Sequence, residues 1–286
     1  MGEACMLHGT VAVLATDASR DHSAVMTAIA LSETESFYLD IHCLAVETPC
    51  PNAVLTGSVI PLIWPDRKAA VECATELERQ LKPLVPRHRH DVQFHRQQFQ
   101  EGMLAGGLEQ IWRFSDWIVV AAPCRHIDDP RLSAAMLKAV LVAGGPPIIA
   151  VPEGCVEMSS TPDRLALAWN GSREALKATR SALPMLRRAR LVDVVVVDPD
   201  IRHGDRSDPG GDLALFLARH GVRVEINVLS RSRPRISDVL KCHASITGAE
   251  AMVMGGSGHP RAHETLFGRT TREMLNDPPI PVILAR

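Results

Sequence analysis

The chain repeats its own pattern, and this repeat limits the folds open to it. Residues 12–20 (AVLATDASR) align with residues 165–173 (LALAWNGSR) at an offset of 153 residues. Residues 117–122 (WIVVAA) align with residues 251–256 (AMVMGG), and residues 147–150 (PIIA) align with residues 281–284 (PVIL), both at an offset of 134 residues. A chain of 286 residues built twice from one pattern predicts two domains of similar fold.

The alignment also sets the boundaries of the two copies. We predict an N-terminal domain over residues 1–151 and a C-terminal domain over residues 164–286, joined by a linker at 152–163 that is rich in Pro, Ser, Thr and acidic residues. The two offsets differ by 19 residues, so the first copy carries an insertion, which we place at 47–65. Its segment 59–65 (VIPLIWP) is apolar, and it either covers the core of its own domain or forms a lid or a subunit contact.

Each copy alternates apolar runs of strand length with stretches of helical periodicity, the pattern of a parallel sheet covered by helices. Aromatic residues make up only 4% of the chain, so Val, Leu, Ile and Ala must build the core, as in α/β proteins. Ser172 and Ser19 are predicted to cap the helix after the first strand of each copy, and Leu176, Thr179, Leu183 and Leu186 are predicted to share one face of the second-copy helix. Strands are expected near residues 10–16, 38–46, 91–97, 116–121 and 147–151, and near 164–169, 191–197, 222–229, 250–254 and 280–285, with second-copy helices near 211–220, 235–246 and 262–275.

A glycine-bearing loop follows the fourth strand of the second copy. Gly255, Gly258 and Gly268 have the spacing G-x2-G-x9-G. A glycine turn that leads from the carboxyl end of a parallel strand into a helix presents backbone N–H groups that can bind phosphate, and open α/β sheets bind ligands at this edge. Ordinary turn glycines would give the same pattern, so the spacing alone leaves both interpretations open.

Three segments together resemble the universal stress protein family in its tandem form. They are AWNGSREA at residues 168–175, the loop over 254–271 that ends in GRTT, and IPVIL at residues 280–284. The resemblance covers both copies and is clearest over residues 164–286. It implies an α/β fold of two tandem doubly wound five-stranded parallel sheets, each with strand order 3-2-1-4-5 and flanked by helices. For one branch of the family it implies an ATP site, in which the glycine loop holds phosphates and ribose and an Asp after the first strand lies near the adenine.

Carried onto this chain, the resemblance implies an ATP or other adenine-nucleotide site in the second copy only. Two residues depart from the ATP-binding pattern: Arg269 stands where that branch has Ser or Thr, and Asn170 replaces the Asp. Arg269 either pairs with phosphate through its guanidinium or fills the pocket and excludes nucleotide. The site residues implied in this way are Asn170, Gly255, Gly258, Gly268, Arg269 and Thr271.

The first copy keeps Asp17 but has lost the glycines. Ala121, Cys124 and Ala134 stand at the three glycine positions, and side chains there keep the backbone from approaching a triphosphate. We therefore expect no nucleotide in the first copy, and no metal ion except one that arrives with a nucleotide.

The function implied by the resemblance is a non-catalytic module of stress tolerance. Two alternatives stay open: a nucleotide-free interaction scaffold of the same family, and an ATP-hydrolysing or adenylylating enzyme. The enzyme would need a metal-binding acid near the phosphates, and the segment 255–271 offers only Glu264. A hydrolase is not supported, because His259 replaces the last glycine of a nucleophile elbow around Ser257 and too few residues follow for an acid and a base.

A histidine-rich segment raises the question of a metal site in the first copy. On a strand, His88 and His90 would share one face while His95 would point to the other, so the three could not converge without a bend. We expect a solvated basic edge here.

Charge and composition limit the partners. Basic and acidic residues number 31 and 33, which gives no positive surplus for nucleic acid. No apolar run approaches the roughly 18 residues of a membrane span, and the first residues lack a signal-peptide core, so we expect a cytoplasmic protein without a membrane partner. The seven cysteines include no C-x-x-C pair and are expected to be reduced thiols.

Each copy ends in a short apolar strand that the 3-2-1-4-5 order places at a sheet edge. An exposed apolar edge strand tends to pair with another strand, and the resemblance implies that single-domain members dimerise through it. We expect residues 147–151 and 280–284 to pair within one chain as a pseudo-dimer. A further homodimer would then use surfaces such as 59–65.

Overall fold

Ten strands and nine α-helices account for most of the described chain. The computed structural model describes residues 8–47, 67–123, 130–143, 145–155, 158–159, 161–199, 208–256 and 268–286. The strands are β1 Thr10–Ala15, β2 Tyr38–Glu47, β3 Val92–Gln100, β4 Trp117–Ala121, β5 Ile148–Val151, β6 Arg164–Ala168, β7 Leu191–Val197, β8 Val224–Leu229, β9 Ala251–Gly255 and β10 Val282–Ala285. The helices are α1 His22–Glu35, α2 Arg67–Leu81, α3 Leu104–Trp112, α4 Pro130–Ala143, α5 Arg173–Ser181, α6 Leu183–Arg188, α7 Gly211–Arg219, α8 Ile236–Thr247 and α9 Arg269–Leu275.

All the strands belong to one sheet, in the order β3-β2-β1-β4-β5-β10-β9-β6-β7-β8. Each half of the sheet has the order 3-2-1-4-5 that the resemblance implied, and every pairing within a half is parallel. The halves meet at β5 and β10, which pair antiparallel with Ile149 opposite Ile283. The two expected sheets are thus one continuous sheet, because each apolar edge strand covers the other.

The sheet is apolar on both faces, and helices bury each face. One core cluster contains Val11 and Val13 of β1 with side chains of α1, α2, α5 and α6, and a second contains Leu14 of β1 with side chains of α3, α4, α8 and α9. Strand β4 is buried along its whole length, as expected for a central parallel strand. None of the helices in the part of the chain that the structure describes has the length and hydropathy that crossing a bilayer requires.

The predicted strands are all present with small changes at their ends, since β3 continues to Gln100 and β8 begins at Val224. The predicted helix after β6 is two helices with a break at Ala182, because Pro184 in the first turn of α6 has no N–H to continue the hydrogen bonds of α5. Of the four residues predicted to share one helix face, Thr179 and Leu186 are buried and Leu176 and Leu183 are half-exposed. The insertion at 47–65 lies outside the described residues except for Glu47.

One predicted helix cap is confirmed and the other is wrong. Ser172 caps α5, and its hydroxyl accepts a hydrogen bond from Ala175 N at 3.1 Å. Ser19 does not cap α1, which begins only at His22. The reason is Asp17, whose carboxylate accepts hydrogen bonds from Ser19 N, Ser19 Oγ and Arg20 N, so the chain makes an additional turn before the helix starts.

Candidate functional site

A pocket of about 370 Å³ lies at the carboxyl ends of β6, β7 and β9 in the second half of the sheet. This volume falls in the range of roughly 300–1,000 Å³ that is typical of small-molecule sites. The position is also the one at which an open α/β sheet binds its ligand. The residues around it are Ala168, Trp169, Asn170, Val195, Val197, Ile236, Leu240, Met254, Gly255, Gly268, Arg269, Thr270 and Thr271.

The inner wall of the pocket is apolar and comes from two elements that the glycine pattern did not indicate. Val195 and Val197 lie two residues apart on β7 and therefore face the same side of the sheet. Ile236 and Leu240 lie four residues apart on α8 and therefore share one helix face. These periodicities were visible in the sequence, but only the packing of α8 against the sheet shows that both pairs line one pocket.

Asn170 lies at the mouth of the pocket, two residues after the end of β6. Its Oδ1 accepts a hydrogen bond from Ser172 N at 3.1 Å, which fixes the side chain over the turn into α5. With the oxygen engaged, the amide nitrogen offers two N–H donors at the pocket rim. An Asp at this position would offer only acceptors.

Gly255 ends β9 and allows a helix to approach the strand closely. A Cβ atom at this position would come within 2.8 Å of Ala175 N and 3.1 Å of the Glu174 carbonyl carbon. Any side chain would therefore push the start of α5 away from the sheet. The packing of α5 accounts for this glycine without reference to a ligand.

The other loop residues differ in what the structure shows of them. Gly258 lies outside the described residues. Gly268 precedes α9 with a φ of −57°, a conformation open to other residues. Thr271 is buried, and its Oγ1 donates to the Gly255 carbonyl at 3.2 Å, so this hydroxyl ties α9 to the end of β9.

Arg269 lies at the rim of the pocket and is paired with an acid on its own helix. Its Nε donates to Glu273 Oε1 at 2.9 Å, and its side chain is 71% exposed. In the structure the guanidinium is therefore bonded to Glu273 at the rim of the pocket, and both alternatives for its effect on a nucleotide stay open.

Glu273 is a carboxylate that sequence reasoning missed, although it stands four residues after Arg269. Ser237 Oγ donates to it at 2.7 Å, and Arg235 Nε lies 3.6 Å away. Burial raises the pKa of Glu273, but the hydrogen bonds from Ser237 and Arg269 outweigh burial and hold this pKa below its ordinary value. Glu273 is therefore ionised at neutral pH and adds negative charge beside the pocket.

The corresponding crevice in the first half is arranged differently. A pocket of about 320 Å³ there is lined by Thr16, Val46, Glu47 and Leu132, among others. Glu47 is buried and accepts a hydrogen bond from Gln98. The carboxylate of Asp17 accepts hydrogen bonds from Arg20 N and from Ser19. Both lower the pKa of Asp17, and the bond from Arg20 N has the larger effect. Of the degenerate glycine positions, Ala121 ends β4, Ala134 lies on α4 and Cys124 lies outside the described residues.

Comparison with known proteins identifies the fold. No protein-family model matches the chain, and no curated protein sequence matches it. A solved structure of a universal stress protein from Archaeoglobus fulgidus is similar over 97% of this chain and 96% of its own, with a TM-score of 0.69 and 16% identity. A functionally unknown protein from Pseudomonas aeruginosa is similar over 96% of this chain and 92% of its own, with a TM-score of 0.57 and 13% identity. At these identities the likeness shows the fold, which is that of a tandem universal stress protein.

Proposed function

We propose that this protein is a non-catalytic stress-response module that binds an adenine nucleotide in the pocket of its second half. The observation that carries the proposal is the pocket itself, which has an apolar inner wall and places the amide of Asn170 and the guanidinium of Arg269 at its mouth. A flat heteroaromatic base with a phosphate chain has the matching distribution of apolar and charged groups.

Each part of the pocket has a role in this binding mode. The base lies against Val195, Val197 and Ile236, where burial of its faces supplies most of the favourable free energy. The amide N–H groups of Asn170 donate to ring nitrogens of adenine, which are acceptors. Arg269 leaves Glu273 and pairs with a phosphate oxygen, since the guanidinium fork matches phosphate geometry.

A non-catalytic role is supported by the residues at the pocket. The described residues that line it include no Asp, Glu, His or Cys, and the nearby Glu273 is held by Ser237 and Arg269 rather than offered to a metal ion. We propose no nucleotide in the first half, because the buried carboxylate of Glu47 lines its crevice and would repel phosphates.

A nucleotide-free interaction scaffold is the second candidate, and Glu273 favours it. The ionised carboxylate lies close to the place where the phosphates would lie, and repulsion between the two would weaken binding. The first hypothesis therefore predicts that the purified protein binds nucleotide, and the scaffold hypothesis predicts that it does not.

Nucleotide extraction from the purified protein, followed by chromatography and by titration calorimetry with ATP, ADP and AMP, tests the proposal. The decisive variant is Ile236→Asp, because Ile236 is a half-exposed wall residue at the start of α8. Loss of the apolar contact and repulsion of phosphate should weaken binding by roughly 1.5–3 kcal/mol, or about 10- to 100-fold.

Ile246→Asp is the matched control, since Ile246 lies on the same helix and is 79% exposed. It should bind nucleotide like the parent protein. No bound nucleotide and no heat with any of the three ligands in the parent protein would favour the scaffold, and equal weakening by both substitutions would place the site elsewhere.

A further inference from the structure

Three side chains with metal-binding groups converge in the first half of the sheet. Asp40 and His42 lie two residues apart on β2 and share one face of it. His95 on β3 is directly opposite His42 in the parallel register. One candidate ligand atom from each of the three lies within 4.8 Å of the other two.

We propose that Asp40, His42 and His95 bind a divalent transition-metal ion of the Zn²⁺ type. Two imidazole nitrogens and one carboxylate oxygen are a ligand set suited to Zn²⁺ and neighbouring first-row ions. This site belongs to the half of the sheet that holds no proposed nucleotide, so it does not depend on the function proposed above.

His42 is the residue that points most directly to a ligand. Its side chain is buried with 5% of its surface exposed, and its Nε2 has no hydrogen-bond partner in the described part of the chain. Its Nδ1 lies 3.2 Å from Gln97 Oε1. Because an amide oxygen only accepts, Nδ1 carries the hydrogen, and the neutral ring therefore has its lone pair on Nε2.

This arrangement is the one in which proteins prepare a histidine for a metal ion. A ligating imidazole usually donates its other N–H to an oxygen acceptor, which fixes the tautomer and orients the ring. Gln97 supplies that acceptor here.

His95 and Asp40 form the more exposed side of the cluster. His95 Nε2 lies 3.2 Å from Asp40 Oδ1, and the side chains are 37% and 29% exposed. The rings of His42 and His95 stack with centroids 4.7 Å apart. On binding, the neutral ring of His95 takes the tautomer with its hydrogen on Nδ1, so that the lone pair of Nε2 faces the ion beside the Asp40 carboxylate. The exposed side leaves room for water as a further ligand.

The second copy shows that the fold itself does not require these histidines. Asp193 on β7 is the counterpart of Asp40 by the 153-residue offset, and the positions of His42 and His95 are taken by Val195 and Asn227, which are also paired across neighbouring strands. Asp193 has an ion pair with Arg164, whose Nη1 lies 3.0 Å from each carboxylate oxygen, and His243 Nε2 from α8 lies 3.4 Å from Asp193 Oδ2.

This cluster is not the trio of His88, His90 and His95 in the histidine-rich segment. His88 and His90 precede β3, so they do not share a strand with His95. The partners of His95 come from β2, which is more than fifty positions earlier in the chain, and only strand pairing brings them together.

Zn²⁺ titration of the chelator-treated full-length protein, monitored by calorimetry against a competing chelator, tests the site. The variants His42→Val, His95→Asn and Gln97→Leu each introduce the residue that the second copy has at the paired position, which favours correct folding. We expect one Zn²⁺ per chain in the parent protein. Gln97→Leu removes the group that orients His42, so it should weaken Zn²⁺ binding by roughly 10- to 100-fold. The two histidine variants should weaken Zn²⁺ binding further.

His90→Asn is the control, because His90 is exposed and outside the cluster; it should bind Zn²⁺ like the parent protein. A Co²⁺ spectrum separates this site from the cysteines, since ligation by nitrogen and oxygen gives no thiolate charge-transfer band. Failure of the parent protein to bind one Zn²⁺, or binding that survives both His42→Val and His95→Asn, would overturn the proposal. Thermal melts of the variants show that each remains folded.

Discussion

Glu273 determines what Arg269 can do at the mouth of the pocket. In the structure the carboxylate of Glu273 holds the guanidinium of Arg269 at the rim of the pocket. Glu273 keeps two other partners, Ser237 and Arg235, if Arg269 leaves. If Arg269 moves from Glu273 to a phosphate, the carboxylate of Glu273 still has partners. The move gives up one ion pair at the surface, worth about 0–1 kcal/mol, and gains a charge-assisted hydrogen bond to the ligand.

Replacing Arg269 should therefore weaken ATP binding rather than create it. Arg269→Ser is expected to cost roughly 1.5–3 kcal/mol of binding free energy, the scale of a charged hydrogen bond, with a smaller effect on adenosine, which has no phosphate. Glu273→Gln should strengthen ATP binding, because it removes repulsion and releases Arg269. Titration calorimetry measures both changes.

Arg272→Ser is the control for charge alone, since Arg272 is an exposed arginine on the same helix. If Arg269→Ser and Arg272→Ser weaken ATP binding equally, the effect is a general one of charge. If Arg269→Ser strengthens binding, the guanidinium excludes the nucleotide.

The glycine spacing predicted the position of the pocket correctly, but it did not predict what each of its residues does in the structure. The glycine spacing pointed to the end of β9, and the structure has a pocket there. However, Gly255 is required by the approach of Ala175, and the hydroxyl of Thr271 is bonded to the backbone. A one-dimensional pattern cannot separate a glycine that admits a helix from one that admits a phosphate, since both need the absence of Cβ.

At the level of elements, the two copies differ most at the turn after the first strand. In the second copy Ser172 caps α5 directly. In the first copy the buried carboxylate of Asp21 accepts hydrogen bonds from Thr16 Oγ1 and Asp17 N, and α1 begins after it. The aligned serines predict equal caps, but a helix start depends on which side chains reach the N–H groups of the turn, and in the first copy those side chains are Asp17 and Asp21.

The two serines should therefore respond differently to alanine. Ser172→Ala removes the acceptor for Ala175 N and should lower the free energy of unfolding by roughly 0.5–2 kcal/mol. Ser19→Ala leaves the start of α1 intact and, at an exposed position, should change it by less than about 0.5 kcal/mol. Urea unfolding measures the difference, and hydrogen exchange at Ala175 N should accelerate in Ser172→Ala only.

Equal destabilisation by the two substitutions would contradict this account of the turns. It would mean that Ser19 stabilises α1 in solution in the way that the sequence alignment suggested. Faster exchange at the start of α1 in Ser19→Ala would have the same meaning.

At the level of the whole molecule, strand order was predictable and the pairs of distant residues were not. The alternation of apolar strands and helices, together with the resemblance, predicted both halves of the sheet and the two strands that end them. The apolar wall from β7 and α8, the Glu273 pair and the convergence of His95 with His42 all depend on how elements separated in sequence pack. Periodicity assigns each residue to a face of its own strand or helix. It does not predict which helix packs against that face, or through which of its residues.

The pairing of β5 with β10 is the contact on which the joint sheet depends, and a charge placed in it should separate the halves. Val282 is fully buried opposite Ala150, so Val282→Glu places an unpaired carboxylate in the apolar joint and should cost more than about 3 kcal/mol. Val228→Glu is the matched control, because Val228 lies on the edge strand β8 and is 50% exposed; its effect should stay within about 0.5 kcal/mol.

Scanning calorimetry should show a lower first transition for Val282→Glu, with the two halves melting separately, and a parent-like profile for Val228→Glu. Light scattering on the same samples checks that the number of chains per particle is unchanged, so that the shift reports the contact within one chain. Closely similar melting of the two variants would show that β5 and β10 do not join the halves in solution.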